Sequence, residues 1–119
     1  MTLLRAFSTV CTSLLIVAAG CGPSPGVRAV ESKAQALVGK RATTNEVAAA
    51  FASAPIHIYT RAEVRQYRDR TSPTDSVRKI WDRMLEYPET HTFPLPGGDI
   101  QIFFDESGRA AGFYSNIQL

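Results

Sequence analysis

The stretch Asp99-Ile100-Gln101-Ile102-Phe103-Phe104-Asp105 decides the fold. Ile100, Ile102 and Phe104 occupy alternate positions, and residues two apart in an extended chain share one face. The spacing predicts a β-strand with one apolar face. Pro96-Gly97-Gly98 ahead of it reads as a turn, and Thr90 to Pro94 as the preceding strand. Glu106-Ser107-Gly108 makes the next turn, where Gly108 takes positive φ at no steric cost. Ala110 to Ile117 follows as a third strand, with Ala111, Phe113 and Ser115 on one face and Tyr114 on the other. The C-terminal third is thus expected to be a three-stranded antiparallel meander.

Upstream the period changes. Val30, Ala34, Leu37 and Val38 share a helical face, and Gly39 is placed to close that helix. Thr43 and Glu46 stand at capping-box spacing and open a second helix with the stripe Val47, Ala50, Phe51 and Ala54, which Pro55 stops. Ile56 to Thr60 alternates over a β-branched run and reads as a short strand. Thr60 and Glu63 repeat the capping spacing before a third helix over residues 62–70. Ser72 as cap, Pro73 at the first helical position and Asp75 in the first turn mark a fourth helix. On it Val77, Ile80, Trp81, Met84 and Leu85 form a core-facing stripe, with Arg78, Lys79, Asp82 and Arg83 toward water. The expected fold class is α+β, with N-terminal helices packed on one face of the C-terminal meander.

Residues of chemical interest are sparse. His57 sits between two isoleucines and His91 between two threonines, neither with a Cys, His or carboxylate at metal-ligand spacing. Ser53 and Ser107 lie outside any G-x-S-x-G elbow, and Gly97-Gly98 precedes a strand where a phosphate-cradling loop would precede a helix. Asp99 and Asp105 bracket one strand and so stand about 20 Å apart, too far for a carboxylate pair. No catalytic residue, metal or cofactor is therefore predicted, and the chain is read as non-enzymatic. Arg61, Arg65 and Arg68 share one face of the third helix. That stripe is either a solvated face with ion pairs or a contact for anionic lipid or a partner.

The N-terminus supplies an address. Arg5 is the only charge in the first 27 residues and precedes an apolar run that is densest from Leu14 to Ala19, the layout of a secretory signal peptide. Leu14-Leu15-Ile16-Val17-Ala18-Ala19-Gly20-Cys21 resembles the lipobox of bacterial lipoproteins, with Ala18 where Leu is usual. The resemblance implies cleavage before Cys21, acylation of its thiol and new amino terminus, and, with Gly22 following rather than Asp, the periplasmic face of the outer membrane. Two or more acyl chains make a stable anchor. The expected layout is a signal over residues 1–20, the lipidated cysteine and a flexible tether over 21–29, and a domain over 30–119. Cys11 would leave with the signal and Cys21 would be alkylated, so the mature chain would keep no free thiol. Loss of Arg5 leaves 12 basic residues (13 − 1) against 11 acidic ones, a balance that argues against nucleic-acid binding.

Leu37-Val38-Gly39, Glu46-Val47, Phe51 to Pro55 and Ile100 to Arg109 together resemble the small outer-membrane lipoproteins of the β-barrel assembly machinery, the SmpA/OmlA family. The resemblance implies two helices before a three-stranded sheet and an envelope location. It carries over no functional residue, because that family ends its second helix in Gly-x-Pro and no glycine stands at that place before Pro55, and because residues 60–85 read as additional helix. The expected function is a membrane-anchored accessory or scaffold that binds an envelope protein. The alternative is a periplasmic inhibitor or immunity-type protein that plugs a hydrolase with the tip Pro94-Leu95-Pro96-Gly97-Gly98.

Overall fold

The computed structural model describes residues 25–117. The expected signal over residues 1–20, Cys21 and the start of the expected tether lie outside the described residues. The chain divides into two compact units, Met1–Val30 and Glu31–Leu119. Among the described residues the order is α1 (Pro25–Gly39), α2 (Thr44–Ala50), β1 (His57–Thr60), α3 (Arg61–Arg70), α4 (Val77–Met84), β2 (Glu89–Leu95), β3 (Gly98–Phe104) and β4 (Ala110–Ile117). The fold class is α+β. The strands form one antiparallel sheet in the order β1-β2-β3-β4.

The sheet corrects the three-stranded expectation. β1 joins it as a fourth, edge strand, with Ile58 opposite His91 and Tyr59 opposite Thr90. The local alternation identified the strand, but its pairing with a segment some thirty residues later is set by register and tertiary packing. β2 and β3 form a two-residue hairpin closed by Pro96 and Gly97, whose φ of 81° supplies the left-handed position that a proline–glycine turn needs. β3 pairs with β4 through a shift at Phe103/Phe104, so Phe103 faces Gly112 while Phe104 faces Ala110. Ala111 is left in the bulge, exposed, and not on a face with Phe113.

α1 begins at Pro25, five residues ahead of the sequence pattern and inside the stretch assigned to the tether. Proline is suited to a first helical turn because its missing N–H is unsatisfied there anyway. Nor does Gly39 close the helix. Ala42 N donates to Leu37 O and Arg41 N to Val38 O, with Arg41 in the left-handed conformation at φ 53°, a Schellman motif carrying arginine where glycine is usual. α2 opens as expected: the Thr43 hydroxyl accepts from Glu46 N, and the Glu46 carboxylate accepts from Thr43 N. It ends before Pro55 by the same device as α1, with Ser53 N on Ala48 O and Ala52 at φ 51°.

α4 starts later than its sequence signals indicate. Ser72 and Asp75 serve a local turn instead, with Asp75 N donating to Ser72 O and Val77 N to Asp75 Oδ1. Short polar side chains can satisfy backbone groups this way without a helix. Ser76 becomes the cap, with no side-chain capping bond.

Both faces of the sheet carry buried side chains. Phe93, Ile100, Ile102 and Phe104 are fully buried on one face, where Phe51 stacks on Phe93 with ring centroids 5.2 Å apart. On the other face Phe103 packs with Val64 of α3 and Met84 of α4, and Tyr59, Ile80, Trp81, Leu85, Tyr87 and Tyr114 complete the cluster. The expectation of a meander covered on one face does not hold, because Phe103 breaks the β3 alternation with an apolar residue on the second face.

Candidate functional site

Most of the second sheet face closes under α3 and α4, but between β1, α4 and the strands β3 and β4 it stays open as a cleft of about 140 Å³. Tyr59, Trp81 and Tyr114 supply aromatic walls, Val77, Ile80 and Met84 the aliphatic side, and Asp99, Gln101 and Asn116 the polar rim. Register explains the convergence. Asp99, Gln101 and Phe103 alternate along β3 on this face, and Asn116 and Tyr114 of β4 stand opposite Asp99 and Gln101. α4 contributes through the helical spacing of Val77, Ile80, Trp81 and Met84.

The aromatic groups hold one another. Trp81 stacks on Tyr67 at 5.3 Å and meets Tyr59 edge-on at 5.8 Å, while Tyr59 meets Tyr67 edge-on at 6.1 Å. Val77 on the cleft lining is exposed, as is Tyr67, which stacks on Trp81. Trp81 Nε1, Thr90 Oγ1 and Thr92 Oγ1 are buried without a hydrogen-bond partner among the described residues. Thr90 and Thr92 lie on this same sheet face, opposite Phe103 and Gln101.

Burial raises the Tyr59 phenol above its usual range, and Tyr67, Glu63 and Asp99 add to the shift. It stays a neutral hydroxyl at ordinary pH. Asp99 Oδ1 accepts from Gln101 Nε2 at 3.1 Å.

The histidines are kept apart. His57 opposes Thr92 and faces the cleft side, where its Nε2 lies 2.7 Å from Glu63 Oε1. His91 points to the other face, buried against Phe104 and 3.0 Å from Glu89 Oε1. A site using both imidazoles in one cleft is not formed. No group of three metal-ligating side chains occurs among the described residues, and no helix among them is long and apolar enough to cross a membrane.

The arginine stripe runs along the seam of α3 with α4. Arg61 Nε donates to Leu85 O at 3.0 Å, and its guanidinium approaches Glu106 at 3.7 Å. Arg68 pairs with Asp82 at 2.6 Å and Asp69 at 3.7 Å. Arg65 is exposed and makes no ion pair among the described residues. Cys21 lies outside the described residues.

Sequence reading placed Trp81 in the core and did not foresee the cleft. No local signal marked it, because Tyr59, Trp81, Asp99 and Tyr114 come from four separate elements. Compared with known proteins, the chain matches no family model, no curated protein and no solved structure.

Proposed function

We propose that the chain is a lipid-anchored envelope protein that acts as a non-enzymatic accessory or scaffold, binding a protein partner at the periplasmic face of an outer membrane. The observation that carries the binding role is the open aromatic cleft with Val77 exposed on its lining. Tryptophan, tyrosine and arginine dominate the energetics of protein interfaces, and a partly covered aromatic pocket suits an anchor residue of a partner. The lipobox ending at Cys21 supports the address. Arg65, exposed and without an ion pair among the described residues, is the member of the stripe best placed to meet anionic groups of a partner or headgroup.

The inhibitor reading has less support. The Pro96-Gly97 tip is a two-residue turn directly after the Leu95–Gly98 pair, a short reach for entering an enzyme cleft. Expression of wild-type and Cys21→Ser chains in a bacterium with an outer membrane tests the anchor. The wild type is expected in the outer-membrane fraction, and the variant is expected to escape lipidation and leave that fraction. Identical processing and fractionation would overturn the anchored reading.

A further inference from the structure

The cleft has a chemistry more specific than apolar binding, and the inference drawn from it rests on the cleft being the recognition surface. Among the described residues Asp99 is the only charged side chain lining the cavity, and no lysine or arginine lines it. Asp99 makes no ion pair among the described residues, and one of its oxygens is engaged by the Gln101 amide. Tyr59, Trp81 and Tyr114 line the same cleft. Aromatic faces attract cations through the ring quadrupole, tryptophan most strongly, and the attraction grows as water is excluded. The same sheet face already uses this interaction internally, since the Arg83 guanidinium lies 4.9 Å from the Phe103 ring centre.

We propose that the cleft receives the side chain of a lysine on the partner protein, its ammonium held by Asp99 among the rings of Tyr59, Trp81 and Tyr114. Three features select lysine. A cavity of about 140 Å³ is close in size to one that holds benzene, about 150 Å³, and so takes a butylammonium group. Val77, Ile80 and Met84 line one side for the four-carbon stem. Asp99 Oδ1 already accepts from Gln101 Nε2, so a two-pronged guanidinium would have to share that oxygen with the amide, whereas a compact ammonium is met by Oδ2 alone. Gln101 is then a positioning residue for the carboxylate.

Trp81 is the only tryptophan in the chain, so its fluorescence reports the cleft directly. Full-length protein in non-ionic detergent is titrated with n-butylammonium, the lysine side chain alone, and in parallel with n-butylguanidinium and the uncharged 1-butanol. Saturable quenching by butylammonium is expected, with butylguanidinium no tighter. 1-Butanol on the wild type, and butylammonium on Asp99→Asn, are each expected to bind about tenfold more weakly. Absence of saturation, or equal responses to butylammonium and 1-butanol, would overturn the assignment, and so would full retention of binding in a folded Asp99→Asn. If the cation fails to bind while a partner is still captured at the cleft mouth, lysine recognition falls and the binding role stands.

Discussion

Tyr59 of the edge strand β1 and Trp81 of α4 meet edge to face with ring centroids 5.8 Å apart. That contact ties the fourth strand to the helix over it and forms one corner of the cleft. Edge-to-face pairs contribute about 0.5–1.5 kcal/mol beyond area burial, so the corner is held firmly while Val77 beside it remains 42% exposed. The stability of this fold and the shape of its recognition surface therefore share residues, and useful tests must separate the two.

Two glycines of the meander provide one separation. A Cβ at Gly98 would collide with the backbone oxygen of Asn116, whereas one at Gly108 meets nothing within 4 Å but sits at φ 74°. Gly108→Ala should cost about 1 kcal/mol, the penalty of a left-handed non-glycine residue. Gly98→Ala should cost more, because β3 and β4 must part where Asn116 borders the cleft. Urea unfolding of both variants checks the order, and equal losses would contradict it.

The helix ends offer a stabilising change. Ala52 adopts φ 51° at the end of α2, a position that glycine occupies without steric penalty. Ala52→Gly should raise stability by up to about 1 kcal/mol, read as a higher urea midpoint with unchanged slope. Arg41 is strained in the same way at φ 53°, but its side chain reaches Asp105 Oδ2 at 3.0 Å and Ser107 Oγ at 3.3 Å. Arg41→Gly should therefore gain less than Ala52→Gly.

Acid sensitivity should trace to the β3–β4 turn. The Ser107 hydroxyl first, then Arg109 N–H, the Arg41 guanidinium and Ser107 N–H hold the Asp105 carboxyl down at about 2. An unfolded aspartate titrates near 3.9. Because the folded value is the lower one, the contribution is fully present above about pH 4 and is lost as pH falls through about 2. Asp105→Asn should flatten the stability profile across that window and leave its slope near neutrality unchanged. A steep acid limb persisting in the variant would place the sensitivity elsewhere.

These sites also mark what sequence could reveal. Alternation of Ile100, Ile102 and Phe104 located β3 and its turns, and the Thr43–Glu46 spacing located the start of α2, because each signal is satisfied by residues close in the chain. Ser72-Pro73 misplaced the start of α4 because the same side chains close a competing turn. β1 was recognisable as a strand but not as a member of the sheet, since its register with Thr90 and His91 is decided by packing. The cleft was hidden for the same reason: Tyr59, Trp81, Asp99 and Tyr114 lie on four separate elements. Cys21 remains a sequence inference throughout.

The most direct test places a photo-crosslinking residue at Val77, on the lip of the cleft, in the full-length chain expressed in a bacterial envelope. Replacement of a surface residue there should change stability by no more than about 0.5 kcal/mol. Ultraviolet light should yield one discrete adduct with an envelope protein, and that adduct should be lost when Asp99→Asn or Trp81→Ala is added to a chain that still folds. No adduct at Val77, or an adduct indifferent to both substitutions, would contradict the cleft as the recognition surface.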